Sequence, residues 1–383
     1  MSSLGVYIHI PFCLNKCPYC NFNSYVLHPL PEAVYIDSIL SEITTISRDH
    51  FSDFRTVDTI YFGGGTPSLF SPDSMEQVLE AIGTHYSFSN NAEVTLEANP
   101  CSLNRIKLKG LLDAGINRLN LGFQSLKDCF LQRLGRIHSA EQAYQAFDLA
   151  RETGFHNLGV DLIYGIPGQE TGEWEDDLEA VIQLKPEHVS AYNLTVEPHT
   201  PFSHWVKQGT VLLPSEEKVI ELYERTHTML SDAGYDHYEI SNFALSGYRS
   251  RHNQKYWILK PYMGIGAGAH SYKKSNSEWG LRWWNVEDPY RYMGSIEQGQ
   301  SSIENVERLS KREAFHEAIF LGLRQFEGIH LSELNNDFGS CPDETWPLVS
   351  DLIDARFLEA THDGFKLTSQ GMLLSDEIVQ HLF

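Results

Sequence analysis

Three thiols stand within eight residues at Cys13-Leu14-Asn15-Lys16-Cys17-Pro18-Tyr19-Cys20, spaced C-x3-C-x2-C, directly after an apolar run that ends at Ile10. Thiolates so close in sequence can converge on one soft metal centre. A structural zinc site normally takes four protein ligands, and the nearest other cysteines, Cys101 and Cys129, lie far along the chain. Zinc stays open as an alternative, because C-x2-C pairs are common zinc elements. Three ligands on a [4Fe-4S] cubane leave one iron open, and an open iron can bind a small molecule.

Further polar residues fall at the ends of apolar runs. Gly63-Gly64-Gly65-Thr66-Pro67 follows the second run. Missing side chains there let the backbone approach a ligand and offer its N–H groups to a carboxylate, although a plain turn would read the same way. Glu97 ends the third run, Gln124 ends the fourth, and Asp161 interrupts Gly159 to Ile163. A carboxylate on a buried strand needs a partner, such as Arg136, a cofactor hydroxyl or a backbone donor.

These residues need a scaffold that brings strand ends to one rim. Val6 to Ile10, Thr59 to Phe62, Glu93 to Glu97, Arg118 to Phe123, Leu158 to Tyr164 and His188 to Leu194 read as strands. Helical patterns lie between them, including Glu32 to Ile46 and Pro72 to Ile82, the latter with Ser71 as cap. Strand and helix alternating at this spacing imply parallel β/α units, and six units without a Rossmann fingerprint imply a partial (β/α)6 TIM-like barrel. Its strand tips share the face where active sites form. The alternation fades after about residue 205. Pro214 to Ala233 reads as a long helix, and Tyr235 to His270 has no clean period. Helical patterns return from Ser310, with a hairpin at the Asp363-Gly364 turn between Phe357 and Thr368, which suggests a C-terminal α+β winged-helix-like domain. The expected organisation is a barrel core over 1–235, a connecting region over 236–305 and the C-terminal domain over 306–383.

Composition removes several classes of function. The chain of 383 residues carries 29 Lys+Arg against 51 Asp+Glu, a net charge of −22 that repels phosphate backbones and makes nucleic acid an unlikely partner. No stretch approaches 18 consecutive apolar residues and no signal core opens the chain, so a cytoplasmic protein without a membrane span is expected. Six cysteines in so long a chain, three of them crowded together, suit a metal or redox site in a reducing compartment. Cys101, Cys129 and Cys341 read as isolated, mostly buried thiols. Trp279, Trp283 and Trp284 read as core more readily than as cavity lining. Gly264 to His270 looks like a nucleotide loop only superficially, since it follows no clear strand, and it suits close backbone packing better.

The C-x3-C-x2-C loop after a first strand resembles the radical S-adenosylmethionine (SAM) superfamily. That resemblance implies a [4Fe-4S] cluster on Cys13, Cys17 and Cys20, with SAM's amino and carboxylate groups on the fourth iron and one-electron cleavage of the sulfonium as the family chemistry. Tyr7-Ile8-His9-Ile10-Pro11-Phe12-Cys13, Gly63 to Pro67, Gly122-Phe123-Gln124-Ser125 and Val160 to Pro167 narrow the likeness to the oxygen-independent coproporphyrinogen III oxidase family, from about Gly5 to the C-terminus. Carried over position by position, Tyr7, Tyr19, Gly64, Gly65, Thr66, Glu97, Gln124, Arg136 and Asp161 fall where that family contacts SAM. Tyr19 would pack the adenine, Glu97 and Gln124 would hold polar groups, and Asp161 would accept from ribose hydroxyls.

The chain departs from the true oxidases in two places. They continue the motif to a fourth cysteine, where Asn21-Phe22 follows Cys20 here, and they carry a longer N-terminal segment. Instead, Arg251-His252-Asn253-Gln254-Lys255-Tyr256-Trp257 provides an H-N-x-x-Y-W segment similar to that of the family's heme-chaperone branch. An imidazole is a common heme ligand, a Tyr phenolate is another, and flanking aromatics can stack on a porphyrin, so His252 and Tyr256 are the heme candidates. A satisfied core cluster is the competing reading of the same residues. The branch implies binding of heme and transfer to acceptor proteins, for example respiratory heme proteins. Coproporphyrinogen III oxidation is the alternative. Peripheral membrane association and a monomer or homodimer both remain compatible.

Overall fold

In the computed structural model, residues 3–275, 278–339, 345–375 and 377–378 are described. Six parallel strands follow one another: β1 (Leu4–Ile10), β2 (Thr56–Gly64), β3 (Ser87–Ala98), β4 (Arg118–Gln124), β5 (Leu158–Tyr164) and β6 (His188–Asn193). Each expected strand lies within one of these except the last, which stops at Asn193 instead of Leu194. Between them run helices such as α1 (Glu32–Asp49) and α2 (Pro72–His85), and Ser71 Oγ caps α2 by accepting from the Ser74 N–H. The expected long helix is Glu216–Asp232, capped by Ser215.

Alternation along the strands decides which face meets the helices. Val6, Ile8 and Ile10, then Ile60 and Phe62, then Leu119, Leu121 and Phe123, then Leu158, Val160 and Leu162 are buried in one continuous core. The opposite face of the same strands carries Tyr7, Tyr61, Glu97, Arg118, Asn120, Asp161, His188 and Ser190. Strands covered on both sides usually read as unbroken apolar runs, so polar side chains at every second position mean that this barrel is not closed by a dry plug. It encloses a polar space.

The region from Tyr235 to His270, which shows no clean period in sequence, helps to complete the sheet. It contributes β7 (Asp236–Glu239), β8 (Asn242–Ala244), the helix Arg251–Trp257 and β9 (Tyr262–Ile265). β9 pairs parallel with β1, and β10 (His270–Ser275), β11 (Glu278–Asn285) and β12 (Ile303–Leu309) continue antiparallel, so the full order is β12-β11-β10-β9-β1-β2-β3-β4-β5-β6-β8-β7. The glycine run at Gly264 to His270 therefore does start within a strand, contrary to expectation. Strands of three and four residues are too short to show a period. β12 crosses the position expected to separate the connecting region from the C-terminal domain.

Close packing is what those glycines provide. Gly266 has φ +102°, and a Cβ there would lie 2.5 Å from the His9 carbonyl oxygen and 2.9 Å from the Tyr35 hydroxyl. Its N–H donates to the buried Glu42, whose carboxylate also accepts from Asn285 Nδ2, Tyr292 Oη and Ser302 Oγ at 2.6 to 2.9 Å. Trp283 is core, as expected, and Trp279 and Trp284 are half-buried. The C-terminal part packs the helices Lys311–Leu323, Leu331–Phe338 and Thr345–Asp354 on a three-stranded sheet formed by Ile329–His330, Gly364–Leu367 and Leu358–Thr361, the winged-helix-like arrangement expected. Cys129 is exposed and Cys101 half-buried, so neither is the buried thiol foreseen, and Cys341 lies outside the described residues. Among the described residues no helix is long and apolar enough to cross a membrane.

Gly266→Ala should destabilise the fold by about 1–3 kcal/mol, through a strained φ and a clash on the His9 backbone. Urea unfolding measures this, and an unchanged midpoint would contradict the packing described.

Candidate functional site

One cleft of about 600 Å³ opens at the C-terminal ends of the barrel strands and runs down inside the barrel. Cys13, Cys17 and Cys20 line it together with Tyr19, Gly64, Gly65, Thr66, Glu97, Gln124, Arg136 and Asp161. The fold thus gathers all three cysteines and eight of the nine residues expected at SAM.

The thiol loop is built from short-range contacts. Phe12–Cys13 pairs with Tyr25–Val26, and Lys16 Nζ ties the loop by donating to the carbonyls of Phe22 and Ser24 at 3.1 and 3.0 Å. The Thr66 hydroxyl donates to Cys13 Sγ at 3.4 Å, and Arg136 Nη1 to Cys17 Sγ at 3.6 Å. Burial pushes the Cys13 and Cys20 thiols above their ordinary range. They are protonated at neutral pH unless a metal displaces the protons. Among the described residues no three His, Cys, Asp or Glu side chains converge tightly enough to hold a single ion. The soft donor set and its sulfur-directed hydrogen bonds fit a [4Fe-4S] centre.

The glycine run acts differently from the expectation. Its N–H groups are taken by the protein: Gly65 donates to the Ile10 carbonyl at 2.9 Å, Thr66 to that of Phe12 at 2.8 Å, and Gly64 to Glu97 Oε2 at 3.2 Å. The carboxylate served is therefore a side chain of the site. Gly65 lets the rim touch the thiol loop, since a Cβ there would meet the Phe12 carbonyl oxygen at 2.7 Å and Cys13 Sγ at 3.0 Å.

Glu97 also accepts from the Tyr61 hydroxyl at 2.7 Å. Burial, reinforced by Asp161, pushes the Glu97 carboxyl up to about 7. Asp161, likewise raised by burial, accepts from Asn120 Nδ2 at 2.6 Å, with the Ser190 hydroxyl also acting on it, and Arg136, one of the partners considered for it, acts only through its charge. Arg136 instead reaches Cys17 and the Gly122 carbonyl, and its Nε is unpartnered. Gln124 sits at φ +69°, a left-handed conformation rare for Gln. The turn behind it is clamped by Asp177, which accepts from Ser125 Oγ at 2.7 Å and the Leu126 N–H at 3.1 Å.

Tyr7, His252 and Tyr256 do not line this cleft. Tyr7 lies behind Tyr61, with ring centroids 6.1 Å apart, and bonds His9 Nδ1 at 3.0 Å. His252 is fully buried, with Nδ1 against Thr59 Oγ1 and Nε2 against the Tyr256 hydroxyl, both at 2.9 Å. Its neighbour Asn253 does line the cleft. Sequence reasoning missed Tyr61, Arg118, Asn120, His188, Ser190 and Tyr192. Their signal was the period-two spacing of polar residues, such as Arg118-x-Asn120-x-Gly122-x-Gln124, within strands read as apolar.

Residues 7–181 match the Radical SAM superfamily, and residues 309–374 match the HemN C-terminal domain. Fold and site define a radical SAM protein. A heme chaperone HemW from Bacillus subtilis (strain 168) is 36% identical over 98% of this chain and 97% of its own length, and one from Escherichia coli (strain K12) is 34% identical over 98% and 97%. The chain belongs to the HemW family within that superfamily. A mitochondrial radical S-adenosyl methionine domain-containing protein 1 from Bos taurus is 34% identical over 99% of this chain and 87% of its own. The fold is shared with coproporphyrinogen III oxidase (HemN) from Escherichia coli, at a TM-score of 0.83 and 21% identity over 100% of this chain and 90% of that one.

Cys17→Ala should abolish cluster assembly while leaving the folded barrel, because two thiols cannot hold the cubane. Iron and acid-labile sulfide analysis after anoxic purification checks it, and full iron content in the variant would refute the ligand assignment. Glu97 makes a pH prediction. Its carboxyl is raised from 4.5 to about 7 on folding, so its contribution to stability is complete below 4.5 and lost as pH rises through 7. Relative to Glu97→Gln, the ligand-free protein should lose up to about 3 kcal/mol across that window. Parallel stability–pH profiles for the two proteins would contradict a buried, raised Glu97.

Proposed function

We propose that this chain is a heme chaperone, which binds heme and hands it to acceptor proteins such as respiratory heme proteins. It would carry a [4Fe-4S] cluster on Cys13, Cys17 and Cys20, with exchangeable SAM in the adjoining cleft. The observation that carries the reading is the meeting, in one cleft, of Cys13, Cys17 and Cys20 with a set of buried polar atoms that have no hydrogen-bond partner. Curated relatives of nearly the same length bear the name heme chaperone HemW, which supports the choice of cargo.

The bound cluster and SAM together supply one-electron chemistry at a sulfonium. The chain's own residues bind and orient. Thr66 and Arg136 direct hydrogen bonds at sulfur, which favours thiolate over thiol. Glu97 and Asp161 provide acceptors for the ligand's amino and hydroxyl groups, and Tyr19 supplies an aromatic wall. Phe22 stands where the oxidases have a fourth cysteine. It is 64% exposed at the cleft mouth, apolar surface suited to a macrocycle or to an acceptor protein.

His252 stays the heme candidate of the H-N-x-x-Y-W segment. Burial holds its imidazole neutral, with a pKa lowered to about 3, which is the form that ligates iron. To ligate, it would exchange the Tyr256 hydroxyl on Nε2 for iron, while Thr59 keeps Nδ1.

Anaerobic titration of the cluster-loaded protein should reach one heme per chain, and the heme should pass to an apo-acceptor. Coproporphyrinogen III supplied with SAM and reductant should not be turned over; protoporphyrinogen formation would overturn the chaperone reading. His252→Ala should weaken heme binding without loss of iron–sulfur absorbance, and unchanged affinity would move the ligand elsewhere.

A further inference from the structure

Inward residues of β4 enter the cleft in turn, as Arg118, Asn120, Gly122 and Gln124. Gln124 belongs to the rim by the thiols, and Arg118 lies six residues earlier, about 20 Å along an extended strand. Arg118 is only 1% exposed. Its Nε has no hydrogen-bond partner. Its charge reaches Glu97 and Asp161 only through space. A buried guanidinium without a bonded acceptor is costly and calls for one.

His188, at the start of β6, is also 1% exposed and lines the same cleft. Its Nε2 lies 2.7 Å from the Tyr238 hydroxyl, which itself accepts from the Ser250 N–H at 3.3 Å. The arrangement that leaves no hydroxyl proton stranded has Tyr238 donating to Nε2, which assigns the imidazole proton to Nδ1. Nδ1 has no partner. Two buried N–H donors, one of them cationic, therefore end unanswered in the deep half of the cleft. Gly159 gives the Asn120 amide its place beside them: a Cβ there would collide with Asn120 Oδ1 and stand 3.5 Å from Arg118 Nη2.

The geometry points to a carboxylate subsite at this deep end, where Arg118 and His188 take a propionate of heme; the choice of heme rests on the function proposed above. A planar guanidinium with a second donor beside it matches a carboxylate. SAM does not supply that carboxylate, because its amino-acid end belongs with the iron at the opposite rim. Heme is an apolar macrocycle with two carboxylates on one edge, and this cleft has a mouth with Phe22 and Tyr192 exposed and two anion donors at its floor. The floor also adjoins the H-N-x-x-Y-W helix: Asn253 lines the cleft, and the charge of Arg118 reaches His252.

Anaerobic titrations of the cluster-loaded wild type and Arg118→Gln, each with heme and with heme dimethyl ester, test the subsite. Wild type should bind heme about 10- to 100-fold more tightly than Arg118→Gln does. It should lose a similar factor for the ester, and Arg118→Gln should not distinguish the two ligands. The variant should keep its iron content and a cooperative unfolding transition, which separates loss of the subsite from loss of the fold. The ester arm needs no variant. Equal heme affinity in both proteins, or no preference of wild type for heme over its ester, would overturn the subsite alone, leaving water as the partner of these donors. A wild type that binds no heme would overturn the chaperone reading and the subsite with it.

Discussion

Polar side chains on the inward faces of β2 to β6 are shut away from bulk water by their own barrel, and everything else in the molecule accommodates that burial. Glu97, Arg118, Asn120, Asp161 and His188 stand where many β/α barrels pack branched apolar residues. Their opposite faces, Leu119, Leu121, Val160 and Leu162 among them, are wholly buried against the helices, so the strands cannot turn over to release them. The interior stays hollow, and its unsatisfied donors and acceptors are a standing preference for a ligand.

The thiol loop sits at the mouth of that hollow by the same logic of close approach. Gly65 allows the second strand's tip to touch Phe12 and Cys13, and Thr66 and Arg136 then reach the sulfurs. Arg136 links the loop to β4 through the Gly122 carbonyl, and Asn23, just past the loop, meets the His9 ring of β1 at its carbonyl and donates from Nδ2 to the carbonyls of Ala267 and Glu287. The thiol loop is thereby keyed to both β1 and β4. On the inward face of β1 and β2, Tyr7, Tyr61 and His252 stack with ring centroids 5.3 to 6.3 Å apart, so the heme candidate and the cleft share one aromatic wall.

Much of this was legible in sequence, for identifiable reasons. The C-x3-C-x2-C spacing and the six β/α units are local patterns, and local patterns survive into the fold. What pointed inward was harder to read. Arg118 and Asn120 sit in a strand whose apolar half dominated its character, and Tyr7 shares β1's inward face yet is screened from the cleft by Tyr61. The sheet's completion by β9 was invisible, because four residues carrying a glycine show no period, and their pairing with β1 spans more than 250 residues of sequence. The N–H groups of Gly64 to Thr66 were misjudged for a related reason: only the fold brings Ile10, Phe12 and Glu97 to take them.

The central claim is a three-cysteine cluster whose open iron faces the polar cleft. Electron paramagnetic resonance of the anaerobically reduced, reconstituted protein, recorded before and after SAM is added, tests it most directly. A [4Fe-4S] signal whose g-values move on addition of SAM is the predicted result. A cluster signal indifferent to SAM, or none in a protein with three intact cysteines, would contradict the account.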